Sequence, residues 1–325
     1  MALIDNHGRS IDYARIAVTD QCNLRCTYCM PEQGLSWLKK DELLTQDEIH
    51  KLIQNLAFLG VKKIRFTGGE PFLRKDFIDI VKNTKSIPGI SEISITTNGT
   101  YTEPHIQELV DLGIKSINLS VDTLDPERFL KMARRDWLPQ VQSTFNSLLD
   151  SPIQVKLNAV IMAGQNEEDI EALSRLAITM PVDIRFIEEM PFNGSGINSS
   201  RVSAKDIEMR LLELYPALHK LPMQPTSTSQ EYSHEDFSGK IGIIAAYSRT
   251  FCGTCNRIRI TPSGHLKTCL YDKSNNSLKS FLSSDSSDFI IQEKIIQAIG
   301  ARFANGFDAE KHRAPIHESM ASIGG

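Results

Sequence analysis

The sequence predicts an α/β protein built on a parallel sheet, open or partly closed into a barrel. Three observations predict it. Strand-like and helix-like segments alternate from about residue 11 to residue 192, the order that crossover connections between parallel strands produce. The stretches LAFLGVKKIRFT (56–67) and LVDLGIKSINLS (109–120) each run through a helix end, a glycine and a strand, so one βα unit is used repeatedly. The motifs with chemical character follow the strands, where such sheets gather functional groups at the strand C-terminal ends.

Taken in order, RIAVTD (15–20) is a short β-rich run leading into a cysteine loop. LTQDEIHKLIQNLAFLG (44–60) is a helix, with Thr45 and Glu48 in capping-box spacing and Gly60 at its C-terminal stop. Its apolar positions Ile49, Leu52, Ile53 and Leu56 recur at helical intervals. KKIRFTGG (62–69) is the next strand, then EISITTNG (92–99), a helix over 103–112 stopped by Gly113, and KSINLSVD (115–122). VKLNAVIM (155–162), a helix over 166–178 and DIRFIEEM (183–190) complete six strands. The polar, turn-rich stretch 222–239 reads as a loop or linker. Beyond it, KIGIIAAYS (240–248) precedes a hairpin, RIRITPSGHLKTCLY (257–271), turning at Pro262-Ser263-Gly264. Residues 303–325 are short on core and read as an irregular tail wrapping back over the main domain.

A chain of 325 residues with 41% hydrophobic and 23% charged residues has the make-up of a soluble globular enzyme with a well-buried core. The net charge of −4 argues against a nucleic-acid-coated or membrane-steered protein, so an anionic ligand needs a local basic cluster. No apolar run approaches the roughly 20 residues of a membrane span. The opening MALIDNHGRSIDYARIAV has no targeting pattern, and a cytoplasmic location is expected.

The six cysteines fall into two groups of three, Cys22, Cys26, Cys29 and Cys252, Cys255, Cys269. A disulfide scaffold would spread its cysteines through a small secreted chain, so two metal sites in a reducing compartment fit better. Structural zinc favours paired C-x2-C knuckles and four ligands, whereas the first triad is C-x3-C-x2-C. Three thiolates on one loop can hold three irons of a [4Fe–4S] cluster and leave the fourth iron free for a substrate or cofactor. TGGEP (67–71) follows the next strand: its glycines admit close backbone approach, and Glu70 can receive an ammonium. A zinc knuckle borrowing His50 would explain the thiols but not this second loop.

The second triad again is one ligand short. Its C-x2-C also suits zinc, with His265 four residues before Cys269 as the fourth ligand. Arg257 and Arg259, at period two on a strand, place two guanidiniums on one face beside the metal. Guanidinium forks match phosphate oxygens, so a substrate with a metal-binding head and a phosphate tail is expected.

The C-x3-C-x2-C loop with Tyr28, together with TGGEP, resembles the signature of the radical S-adenosylmethionine superfamily. Within it, RIAVTDQCNLRCTYCMP, KIRFTGGEPFLR, TTNGT, LSVDTLDPERF, VKLNAVIM, RFIEEMPFNG, FCGTCNRIRITPSGHLKTCL and the terminal SIGG resemble the GTP 3′,8-cyclase family over residues 15 to 325. The resemblance implies an incomplete (βα)6 TIM-like barrel over 1–225. A smaller C-terminal α+β domain, 226–325, would carry a second [4Fe–4S] cluster and the Gly-Gly tail. It implies that Cys22, Cys26 and Cys29 ligate the first cluster and Cys252, Cys255 and Cys269 the second. Tyr28, Gly69, Glu70, Ser120 and Met190 match positions that bind S-adenosylmethionine. Arg15, Arg65, Thr96, Lys156, Arg257 and Arg259 match GTP-contacting positions, with Arg15, Arg257 and Arg259 catalytic.

The implied reaction begins with a 5′-deoxyadenosyl radical, which abstracts the ribose C3′ hydrogen of GTP; the C3′ radical then attacks guanine C8. Cyclic pyranopterin monophosphate synthase would take the product, on the path to molybdenum cofactor, and a flavodoxin- or ferredoxin-type donor would reduce the cluster. A monomer or homodimer is compatible with this, without nucleic acid or membrane. The alternatives are another two-cluster radical enzyme, peptide-modifying or haem-maturing, and a zinc-stabilised interaction protein. One departure is visible: after MPFNG the chain continues SGINSSRVS where the family has an asparagine and a tryptophan nearby.

Overall fold

The computed structural model describes residues 2–190, 201–272, 276–284, 286–312 and 319–324. Among them the strands are β1 (Tyr13–Ala17), β2 (Lys63–Thr67), β3 (Glu92–Thr97), β4 (Ser116–Ser120), β5 (Gln154–Ile161), β6 (Asp183–Glu188), β7 (His219–Lys220), β8 (Ser229–Ser233), β9 (Lys240–Ile244), β10 (Arg257–Ile260), β11 (His265–Lys267) and β12 (Asn276–Ser277). The six strands read from the sequence are β1 to β6, each within a few residues of its expected bounds. The chain divides into two compact units: Met1–Asn23 with Leu35–Ile95 and Cys252–Gly325, and Leu24–Gly34 with Thr96–Phe251.

In the first unit the strand order is β12-β11-β10-β1-β2-β3. The pairs β10–β1, β1–β2 and β2–β3 are parallel, and β11 and β12 extend the sheet antiparallel. Ala14, Ile16, Ile64, Phe66, Ile258 and Ile260 are fully buried, as strands covered by crossover helices require. The helix Gln46–Phe58 starts at the expected capping box: the Glu48 amide donates to Thr45 Oγ1 at 3.2 Å, and the Thr45 amide to Glu48 Oε2 at 2.7 Å. Its predicted stripe Ile49, Leu52, Ile53 and Leu56 is buried, and Gly60 ends the element at φ 101°. The hairpin expected at Pro262-Ser263-Gly264 is β10–β11.

In the second unit β4, β5, β6 and β9 run parallel, and β8 and β7 close the order antiparallel. Asn166 is fully buried and ties two strand ends together: its Nδ2 donates to the main-chain oxygens of Asp122 and Val160, both at 2.9 Å.

Two expectations are corrected. The stretch 222–239 is not a loop throughout, because β8 lies within it and pairs from Ser229↔Ile244 to Tyr232↔Ile241. Its buried residues, Ser229 and Tyr232, are three apart and so lie on opposite faces; with no period-two alternation and one large apolar side chain, it resembles a turn-rich run. The tail contains the helices Gly306–Lys311 and Met320–Ile323. Ala321 and Ile323 are buried, and Gly324 lies against Thr67 and Ala17, so the tail does return to the sheet of its own unit. Of the altered loop after Gly194, residues 195–200 lie outside the described residues.

Candidate active site

Three adjacent parallel strands of the first unit build a cationic lattice. Register pairs Tyr13 with Arg257 on one side and Lys63 on the other; two residues on, Arg15 pairs with Arg259 and Arg65. Parallel partners and residues two apart share a face, so five cations and one phenol lie on the same face, three of the cations close to the phenol ring. Lys63 Nζ lies 5.2 Å, Arg65 Cζ 5.5 Å and Arg15 Cζ 6.0 Å from the Tyr13 ring centroid. Burial raises the Tyr13 pKa, but Arg65, Arg15 and Lys63 outweigh it and bring it down to about 8. Burial, with Arg15 and Arg257 alongside, lowers the pKa of Arg259. Such a lattice is chemically suited to an anion with several oxygens, such as a polyphosphate.

The C-terminal cysteines continue directly from this lattice. Cys252–Thr254 is a single helical turn before β10, and Cys269 follows β11. Arg302 Nη2 donates to Cys255 Sγ at 3.0 Å, and Arg257 Nη2 approaches it at 3.6 Å. Burial raises the Cys255 thiol, yet Arg257 and Arg302 bring its pKa down to about 7. Cys269 is pushed up by burial and by the charges of Cys255 and Cys252, so the three sulfurs sense one another. All six cysteines are free thiols, and among the described residues no three His, Cys, Asp or Glu side chains close into a ready-made metal site. His265 Nδ1 is bound to Ser263 Oγ at 2.9 Å.

The glycine loop lies along the segment that precedes Cys22. The Gly69 amide donates to Thr19 O at 2.8 Å and the Glu70 amide to Gln21 O at 2.7 Å. A side chain on Gly69 would overlap the main-chain oxygens of Gln21 and Asp20, so glycine is required by close approach. Glu70 is fully buried, and its Oε1 accepts the Phe72 amide at 3.1 Å.

In the second unit Cys26 and Cys29 stand on one turn, the Cys26 carbonyl accepting the amides of Cys29 at 2.9 Å and Met30 at 3.1 Å. The turn is held from behind: the Arg25 and Thr27 amides donate to Ala133 O and Met132 O, both at 2.9 Å. Cys26, Tyr28, Asn98, Ser120, Asp122 and Phe129 line a small cavity. Burial raises the Asp122 carboxyl to about pKa 6, against hydrogen bonds from the Val160 amide and the Tyr28 phenol. Burial, then Asp122, Cys26 and Cys29, pushes Tyr28 up. Lys156 pairs in register with Asn118 and Asp183, and Arg185 Nη1 donates to Asn118 Oδ1 at 3.3 Å.

The structure thus brings Arg15, Arg65, Arg257, Arg259, Gly69, Glu70, Cys22, Cys252, Cys255 and Cys269 into the first unit. It places Cys26, Tyr28, Cys29, Thr96, Ser120, Lys156 and Met190 in the second. Sequence reasoning missed Tyr13, Lys63, Arg185 and Arg302. Tyr13 and Lys63 were legible as period-two neighbours of Arg15 and Arg65 on their strands, and Arg185 had no such flag, since neither strand neighbour two away is a site residue. Arg302 follows a helix, Asp288–Gly300, that the sequence reading did not single out, and nothing local marks it.

Comparison with known proteins bears on this arrangement. The radical SAM superfamily model matches residues 16–177, and the Molybdenum Cofactor Synthesis C model matches 182–307. A GTP 3′,8-cyclase of Clostridium perfringens is 38% identical over 332 aligned positions, covering 99% of each chain. The chain belongs to the GTP 3′,8-cyclase family. Another GTP 3′,8-cyclase, from Chlorobaculum tepidum, is 37% identical, covering 100% of this chain and 98% of the relative. Molybdenum cofactor biosynthesis protein 1 of Bos taurus is 40% identical over 303 residues, 92% of this chain and 47% of the relative. The chain therefore spans about half the length of that animal relative. Streptococcus suis SuiB bound to its precursor peptide SuiA superposes with a TM-score of 0.65 at 12% identity, covering 95% of this chain and 69% of SuiB, a likeness of fold alone. Membership in the radical SAM superfamily implies a [4Fe–4S] cluster and S-adenosylmethionine. Among the described residues no helix is long and apolar enough to cross a membrane.

Proposed function

We propose that this chain cyclises GTP between ribose C3′ and guanine C8, the first step of molybdenum cofactor biosynthesis. The observation that carries the reading is the register-locked lattice of Arg15, Arg65, Lys63, Arg257 and Arg259, continuous with a cysteine triad. A nearly tetra-anionic triphosphate is its chemical complement, and the triad marks where the other end of the same substrate would bind.

Cys22, Cys26 and Cys29 hold the first cluster, and Tyr28, Gly69, Glu70, Ser120 and Met190 hold S-adenosylmethionine. Cys252, Cys255 and Cys269 hold a second cluster. The donors fit such a group: a thiol drawn down to about pKa 7 beside two guanidiniums is a ready thiolate, and iron relieves the mutual repulsion felt at Cys269. When bound, the clusters and S-adenosylmethionine supply the 5′-deoxyadenosyl radical and a coordination position for guanine. Arg15, Arg257 and Arg259 act at the reacting nucleotide; with Arg65, Thr96 and Lys156 they fix the triphosphate, so that the ribose is presented in one orientation. Cyclic pyranopterin monophosphate synthase is the consumer of the product, and a flavodoxin- or ferredoxin-type protein is the electron donor.

The test is anaerobic incubation of reconstituted protein with dithionite, S-adenosylmethionine and GTP. Formation of 5′-deoxyadenosine together with a cyclised nucleotide is expected. Deoxyadenosine without GTP consumption overturns the substrate, and zinc without acid-labile sulfide overturns the clusters.

A further inference from the structure

Behind the C-terminal cysteine turn lies a charged bracket that the reaction outlined above does not use. Asp5 and Arg302 are buried, with side-chain exposures of 0% and 3%. Asp5 Oδ1 accepts the amides of His7 and Arg9, both at 2.9 Å, which fixes the carboxylate within its own turn. Its Oδ2 pairs with Arg9 Nε at 2.6 Å and Arg302 Nη1 at 3.5 Å. Each guanidinium then reaches one end of the C-x2-C turn. Arg9 Nη1 donates to Cys252 O at 3.0 Å; Arg302 donates to Cys255 O from Nη1 and to Cys255 Sγ from Nη2, each at 3.0 Å. Arg302 Nη2 also reaches Arg257 O at 3.0 Å, so the same side chain fixes the start of β10.

A buried cation that only caps carbonyls has no need of a sulfur. A hydrogen bond and a full positive charge on a cluster sulfur stabilise the more negative, reduced state. We propose that Arg302, oriented by Asp5, is a positioning residue that fixes Cys255 and raises the reduction potential of the cluster held by the C-terminal triad. The inference rests on the two-cluster reading above. Arg9, on the same carboxylate, holds the backbone at Cys252 and leaves its sulfur untouched. The bracket therefore acts unequally on the two cysteines of one turn.

The test is a redox titration of the second cluster's electron paramagnetic resonance signal in the full chain carrying both clusters, with the first cluster as internal control. In Arg302→Gln, iron and sulfide stay at the wild-type level. The reduced-to-oxidised ratio of the second cluster at a fixed potential falls about tenfold, about 59 mV for one electron. Arg302→Lys restores part of the shift because the charge returns. The first cluster does not move. A purely structural arginine would lower the unfolding temperature and leave the potential unchanged; full occupancy with an unchanged potential in Arg302→Gln overturns the proposal. If Arg302→Gln fails to hold the cluster, Arg302→Met, which keeps the side chain's bulk without its charge, decides by the same criterion. A wild-type protein containing one cluster, or zinc, overturns the two-cluster reading and this inference with it, and the metal count separates that outcome from an unchanged potential.

Discussion

Arg259 Nη1 donates to the main-chain oxygen of Gly324 at 2.9 Å, so the Gly-Gly segment is held by the same lattice that is proposed to receive the nucleotide. Gly324 has φ 76°, and a Cβ there would stand 2.8 Å from Thr67 Oγ1 and 3.0 Å from Ala17 Cβ. A side chain is therefore penalised both by backbone strain and by contact. Gly324→Val is expected to lower turnover more than tenfold, and removal of Gly324 and Gly325 to abolish it, with iron and sulfide unchanged in both. Assay of the cyclised nucleotide beside metal analysis checks this; normal cyclase activity in the truncated chain refutes it.

Gly69→Ala acts at a different place. The added methyl meets main-chain oxygens of Gln21 and Asp20, which no side-chain rotation can relieve. Overpacking of this kind costs about 1–3 kcal/mol, and the displaced segment leads into Cys22. The expected result is a lower unfolding temperature with loss of iron from the first triad and retention at the second, read by cluster spectroscopy. Full occupancy of both triads would contradict it.

Asp122 predicts a pH dependence of stability. Its folded-state pKa of about 6 lies above its ordinary 3.8, chiefly through burial. A raised pKa means that the folded state binds the proton more tightly than the unfolded state does. The contribution is complete below about pH 4 and is lost as pH rises through 6, a change of about 3 kcal/mol. Asn keeps an acceptor for the Val160 amide and does not titrate. Urea unfolding of Asp122→Asn should therefore lose this part of the pH slope between 4 and 6; an unaltered slope rejects the assignment.

Tyr13 ties nucleotide affinity to pH. Its phenol ionises near pH 8 because three cations face it despite its burial. A phenolate in the lattice cancels one positive charge and repels phosphate, so GTP affinity should weaken several-fold as pH rises from 7.5 to 9. Calorimetric titration of Tyr13→Phe should find that weakening reduced. Arg15→Gln should weaken binding about tenfold at every pH, equivalent to about 1.4 kcal/mol.

What was legible in the sequence follows from how locally each signal is encoded. The capping box at Thr45 and Glu48, the stripe down the following helix and the hairpin at Pro262-Ser263-Gly264 are short-range patterns, and each appears where expected. Strand β8 was illegible because SQEYS buries a serine and a tyrosine, and its pairing with β9 is made by backbone groups that any sequence carries. At the site, Arg257 and Arg259 announced themselves by spacing. Their placement beside Arg15 depends on β10 adding parallel to β1, a pairing between opposite ends of the chain. Arg302 was illegible for the same reason: its partners are Asp5 and Cys255, and no local pattern names them.

That parallel pairing also sets a timetable. During synthesis Arg257–Ile260 emerge some 240 residues after β1, roughly 12–50 s later at about 5–20 residues per second. Until then one edge of an apolar strand has no native neighbour, and contacts closed over so long a span form slowly. The nascent chain therefore carries an unpaired strand edge for that interval, and the lattice of Arg15, Arg65, Lys63, Arg257 and Arg259 is complete only once β10 has paired with β1.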